Sequence, residues 1–347
     1  MTLAYAVLGV AFVGLIAYAL FGGADFGGGI WDLLAGGTER GRAARDRVEN
    51  SIGPVWEANH VWLIFVLVVL WTGFSGGFAA AVTTLYIPLT FAASGVIARG
   101  AAFAYRKSVG SLRMRRFFGA VFALSSLVTP FFFGAVVGGV ASGRVPPRIA
   151  GGDVVTSWAN PTSVLGGILA VLVCAYLAAV FLCGDARRDG EHELAEAFRR
   201  RALASAVVTG VVGLAGIAVL RADAPMLFDG LTGRGLPAVL LSVVAGLAAL
   251  GLLLTRRYIA ARLTSALAVT AILVGWAAGQ YPYLLPPSLT VEQAATGHST
   301  LLALLVALCV GTVVLVPSLV FLYTLFQRPP YGFEHPNRSS PRTAGPQ

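Results

Sequence analysis

Apolar runs of membrane-spanning length dominate this chain. Nine of them lie near 4–27, 54–72, 78–104, 117–139, 162–183, 202–221, 236–254, 262–281 and 300–326. Each approaches or exceeds the roughly 20 residues that a helix needs to cross a bilayer core. Lipid supplies no hydrogen-bond partners, so segments of this kind must satisfy their own backbone groups, which selects helices. Charged residues make up only 12% of the chain, too few to cover a soluble protein of 347 residues, and the mean hydropathy is +0.79. The predicted fold is an all-α polytopic membrane protein of about nine transmembrane helices. A single membrane domain is expected over residues 1–327, followed by a Pro-, Arg- and Ser-rich disordered tail over 328–347. The opening MTLAYAVLGV has no basic segment and its apolar stretch is too long for a cleaved signal, so it reads as a retained first helix. The 42 glycines, mostly inside apolar runs, suit close helix packing.

Basic residues set the orientation. Twenty of the 25 Lys and Arg residues fall in the links after helices 1, 3, 5 and 7 and in the C-terminal tail. The alternate links hold four, counting Arg221 at their edge, and Arg99 alone lies well inside a helix. The positive-inside rule then predicts an outside N-terminus and a cytoplasmic C-terminus, as an odd number of spans requires. The net charge of +9 is thereby explained by topology, and no nucleic-acid partner is expected. Within the fifth link, 184–201 reads as a charged surface helix leading into the sixth span.

Ionisable groups inside spans are costly and are functional candidates by default. Asp25, Glu57, His60 and Arg99 are the proton-path candidates, and all four are placed at similar depth on the cytoplasmic side. Asp25 sits in Gly22-Gly23-Ala24-Asp25-Phe26-Gly27-Gly28-Gly29, where missing side chains let another helix or a cofactor come close. The same string also reads as an interfacial acid at a Gly-rich helix end. Asp32, seven residues on, shares that face and reads as interfacial. Pro54 suits a first helical position, which makes Glu57 an early-turn acid favoured by the helix dipole. Asn59, His60 and Trp62 follow within two turns, and His60 shares the face of Glu57, so a proton relay or a polar helix contact is an equally open reading. A buried Arg99 wants an anion, and Asp25 or Glu57 can supply it. The other reading has Arg99 snorkel to the inner surface, as Arg106 and Lys107 are expected to do.

Cys174, Cys183 and Cys309 all fall in apolar stretches without a CxxC, which supports neither a disulfide framework nor a zinc site. His60 is the one histidine within a span, because His192, His298 and His335 fall in links or the tail. Met1, Met114 and Met226 also lie at ends or links. The chain is therefore expected to hold no haem and no metal of its own. It carries no Walker motif, no Ser/His/Asp arrangement and no dinucleotide fingerprint.

Four strings carry a resemblance: GADFGGGIW at 23–31, NSIGPVWEANHVWLI at 50–64, ARGAAFAYR at 98–106 and LPPSLT at 285–290. Together they resemble subunit II of cytochrome bd-type quinol oxidases, over nearly the whole chain. The resemblance implies a bacterial cell-membrane complex of the aerobic respiratory chain that oxidises quinol and reduces dioxygen to water. It implies a partner subunit I that carries the haems (b and d, or b-type only) and the quinol oxidation site, and a small single-helix subunit in many complexes. Subunit II itself would be haem-free and not catalytic alone, and in some members it holds a bound quinone. By position, Asp25 matches the acid of the helix 1 motif. Glu57 matches the helix 2 acid of a cytoplasmic proton route. Trp62 matches a Trp near the oxygen-access path, and Arg99 matches an Arg in helix 3.

Three departures point toward a divergent branch such as the cyanide-insensitive type. Phe21 stands where many members carry a second acid, His60 where Gln or Glu is common, and Val291-Glu292-Gln293 follows Ser288-Leu289-Thr290 where Trp-Asp is usual. A proton-coupled secondary transporter using Asp25, Glu57 and Arg99 is the competing reading. A transporter site, however, should spread polar groups and broken helices across the bilayer midplane.

Overall fold

A computed structural model describes residues 2–36, 41–52 and 56–327. Helix α1 (Leu3–Ala17) passes through a π-helical turn, Tyr18–Gly22, into α2 (Gly23–Leu33), so one continuous span runs Leu3–Leu33. Helix α3 (Arg42–Ile52) is short and polar. It is followed by α4 (Trp56–Gly73), α5 (Ser75–Thr84), α6 (Tyr86–Ser108), α7 (Leu112–Ala141) and α8 (Pro161–Arg188). The chain continues through α9 (His192–Asp223), α10 (Pro225–Thr232), α11 (Leu236–Leu254) and α12 (Tyr258–Gln280). A two-stranded antiparallel hairpin, β1 (Tyr283–Leu285) with β2 (Leu289–Thr290), precedes α13 (Val291–Ala294) and α14 (His298–Gln327). Among the described residues eight helices are long and apolar enough to cross a membrane, or nine if the bent pair α4–α5 counts as one span. Residues 328–347 lie outside the described residues.

Two sequence expectations are corrected. The third apolar run, 78–104, is not one helix: its first residues belong to α5, and α6 begins only at Tyr86. Pro88 explains the boundary, since it has no N–H to give to the carbonyl four residues back and its ring crowds that carbonyl. A second break at Phe74, which leaves helical backbone angles, bends α5 by 118° from α4. The other correction concerns 184–201. Residues 184–188 end α8, and from His192 the segment is the first part of α9, continuous with the sixth span. Ala195, Phe198, Ala202 and Ser205 repeat at three- and four-residue spacing and are all buried, so the apolar stripe carries the helix straight through its charged stretch.

Two compact units are distinguished, residues 1–305 and 306–347. The first has its core where α2, α7, α8 and α9 meet. Leu177, Ala178, Ala179 and Val180 of α8 are essentially inaccessible there. At the opposite end of α8, the Asp223 carboxylate closing α9 accepts from the Thr162 N–H (3.0 Å) and hydroxyl (2.6 Å) and pairs with Arg144. An acid at the start of α8 also complements that helix's dipole. The described part of the second unit is the rest of α14, with Val313, Val314 and Phe321 exposed.

Candidate functional site

The glycines around Asp25 exist to admit neighbours. A Cβ on Gly27 would lie 1.8 Å from the Cys174 carbonyl oxygen, and one on Gly29 would lie 2.1 Å from the Ser126 hydroxyl. Both helices therefore press against the α2 backbone, α8 at Gly27 and α7 at Gly29. Such approach is how helices associate where lipid gives no hydrophobic drive. Into the space beside this contact α6 directs Arg99.

Arg99 and Asp25 form a closed pair. Arg99 Nη2 donates to Asp25 Oδ1 at 2.7 Å and Nη1 donates to Oδ2 at 3.0 Å, the two-pronged geometry in which guanidinium and carboxylate interact best. Nη2 also donates to the Asp25 main-chain oxygen at 3.1 Å, and Nε donates to Ser126 Oγ at 2.9 Å. Both side chains are 2% exposed. The cation lies over the rings of Phe26 and Phe122, at 5.0 and 4.7 Å from their centroids. Arg99 is thus buried and paired, not extended toward a surface.

Helix α4 brings the second part of the site. Asn59 is buried, and its Nδ2 donates to the Phe21 carbonyl at 3.3 Å, inside the π-helical turn. A π turn offsets the regular ladder and leaves carbonyls for side chains to take. His60 is partly buried between the rings of Tyr18 and Phe26, with centroids 6.5 and 6.4 Å away, both edge-on. Phe26 therefore touches His60 on one side and the Arg99 cation on another. Tyr18 Oη and Asn59 Oδ1 are buried with no hydrogen-bond partner among the described residues. Trp62 is partly buried against the main core, with the Phe65 ring 6.3 Å away. Glu57 lies in the first turn of α4, and its side chain falls outside the described residues.

One heptad further along the same helices lies a second pair, in which Arg106 reaches an acid instead of extending freely to the surface. Asp32 is buried and accepts from Arg106 Nη1 at 2.6 Å, while Arg106 Nη2 approaches Glu49 of α3 at 3.6 Å. Helix α3 is held in turn by Arg47, which is buried and donates to Asp189 at 2.6 Å and Glu191 at 2.9 Å in the α8–α9 turn. The Arg47 guanidinium holds the Asp189 carboxyl below the usual carboxylate range. Sequence reasoning missed Ser126 and Glu49. Ser126 carried a faint signal, as half of a Ser125-Ser126 pair inside an apolar run. Glu49 carried none beyond lying in a charged link.

The family model described as cytochrome bd terminal oxidase subunit II matches residues 3–326. Over 181 residues the chain is 29% identical to cytochrome bd ubiquinol oxidase subunit 2 of Bacillus subtilis (strain 168), covering 51% of each chain. Over 213 residues it is 29% identical to cytochrome bd-I ubiquinol oxidase subunit 2 of Escherichia coli (strain K12), covering 59% of this chain and 54% of the relative. These matches span about half the length of the two relatives. The solved structure of bd oxidase from Geobacillus thermodenitrificans superposes with a TM-score of 0.71 at 24% identity, covering 94% of this chain and 99% of that chain. At that identity the likeness is one of fold.

Proposed function

The chain belongs to the cytochrome bd terminal oxidase subunit II family, and from that premise we propose that it is the haem-free subunit of a quinol:dioxygen oxidoreductase in the bacterial membrane. A haem-bearing subunit I, with a small single-helix subunit beside it, completes the complex. Its N-terminus faces outside and its C-terminus faces the cytoplasm, following the basic residues of the links. The haems of the partner supply the electron transfer. This chain's residues stabilise the complex and conduct protons.

The observation that carries the proton reading is the Asp25–Arg99 pair with its Ser126 contact, buried in the apolar core of α2, α6 and α7. Reducing dioxygen to water consumes protons as well as electrons, so a route from the cytoplasm is needed. In this reading Glu57 takes protons up at the start of α4 and His60 passes them along the same face. The fixed, jointly neutral Asp25–Arg99 pair sets the field they cross. Trp62 lines the oxygen-access side. An acid at a helix start feels burial and the helix dipole in opposite directions, and it exchanges protons where an amide cannot.

The test is turnover of the intact complex. Glu57→Gln should assemble with normal haem content yet show clearly reduced quinol-dependent oxygen consumption, whereas Glu57→Asp should retain most of it. Wild-type turnover of the Gln variant at every pH would confine Glu57 to helix capping. Haem bands that co-purify with the chain from native membrane, but vanish when it is expressed alone, would support the partner assignment.

A further inference from the structure

Arg201, half-buried, is placed and surrounded unlike the buried Arg47 and Arg99. In α9 the charged residues stop at Arg201 and resume at Arg221. Those 20 residues of helix rise about 30 Å, the thickness of a bilayer's hydrocarbon core. Arg201 therefore stands at the level of the lipid headgroups. Its guanidinium lies over the Phe198 ring at 5.0 Å and the Trp31 ring at 5.6 Å. Its Nη1 is buried with no hydrogen-bond partner among the described residues.

Four acids near this end of the bundle are already engaged. Glu196 is held by Arg199 and approached by Arg256 at 3.5 Å, Asp185 is held by Arg262, and Asp189 and Glu191 are held by Arg47. A guanidinium cannot shed its proton to escape this situation. Along the same face of α9, at positions 3, 7, 10 and 14 beyond Arg201, Ala204, Val208, Val211 and Ala215 are all exposed. This leaves an apolar strip that runs down from a cation with no acid partner among the described residues.

We propose that Arg201 is the headgroup site of an anionic phospholipid. The phosphodiester accepts from the accessible edge of the guanidinium, away from the buried Nη1, the Trp31 and Phe198 rings hold the guanidinium in place, and an acyl chain lies along the Ala204–Ala215 strip. The strip favours a lipid over a free anion, which would have no use for it. Position favours it too, because a cation between helices at headgroup depth meets anionic lipid in the native membrane. The site is independent of the proton reading above.

Native mass spectrometry of the intact detergent-purified complex tests this, with phosphatidylglycerol titrated against phosphatidylcholine as the neutral comparison. Phosphatidylglycerol should bind more tightly. Arg201→Gln should weaken its binding by about tenfold, the loss of one charge-assisted hydrogen bond, while Arg200→Gln, at an exposed neighbour, should leave it unchanged. Arg201→Lys, which keeps the charge without the planar fork, should preserve the preference at reduced strength. Equal binding of the two lipids to wild type would overturn the proposal without recourse to any variant. So would displacement of the lipid by inorganic phosphate, which would mark a free-anion site. Loss of a companion subunit from Arg201→Gln with lipid retention unchanged would reassign the cation to a protein carboxylate and overturn it as well.

Discussion

Asp25–Arg99 and Asp32–Arg106 join the same two helices with the same sequence separation, 74 residues, one heptad apart. Equal separation means that α2 and α6 run in the same direction here, with each acid facing its arginine in register. Their surroundings differ. The inner pair is 2% exposed on both sides, has Ser126 and a main-chain carbonyl as further acceptors, and lies between two aromatic faces. In the outer pair the Arg106 side chain is 19% exposed and a second acid, Glu49, shares it at 3.6 Å. The inner pair is a closed unit in which every guanidinium nitrogen has an acceptor. The outer one is open to water and to α3. Burial, not charge chemistry, should therefore decide what each is worth.

Mutation offers ways to break that comparison. Arg99→Gln strands a buried carboxylate and should cost the most, about 3–5 kcal/mol, seen as low complex yield and a lowered unfolding temperature. Adding Asp25→Asn to it should recover a large part, because a neutral amide pair leaves no unpaired charge. Gly27→Ala comes next. Its methyl would collide with the Cys174 carbonyl and should cost about 1–3 kcal/mol by forcing α2 from α8. Arg106→Gln should cost only about 1 kcal/mol, since water reaches that arginine. If it proved as damaging as Arg99→Gln in the same melt, exposure would not be what separates the pairs.

The smallest effect is a pH dependence in the α3 clasp. The folded Asp189 carboxyl is held below its ordinary value of 3.8 by Arg47. Its contribution is therefore fully present above that ordinary value and is lost as pH falls through the lowered folded one. Asp189 is 44% exposed, so solvent screens the pair. Proteolysis within 41–52 should rise modestly at acid pH, and Arg47→Gln should abolish that rise. An identical acid response in the variant would remove the clasp as its cause.

Much of this was legible in the sequence. The spans follow from local composition, since about 20 apolar residues in lipid have one solution. Asp25 and Arg99 stood out because an ionisable group in such a run is costly wherever it ends up. Asp32 and Arg106 did not, because proximity to a charged link reads as exposure. Only their shared seven-residue spacing hinted at a second rung. The run 78–104 was misjudged for a similar reason: apolarity does not reveal a bend, though Pro88 marked where one helix had to end.

By itself, then, the sequence determined the membrane class, the positions of the apolar segments and the short set of intramembrane polar residues. These are properties of single segments meeting lipid. Tertiary structure alone decided that Arg99 takes Asp25 with Ser126 beneath it, and that Arg106 takes Asp32 and Glu49. Those choices depend on how helices are rotated and how closely they approach. Here the approach is set by contacts such as Gly27 against Cys174, between residues far apart in the chain, where local composition has no say.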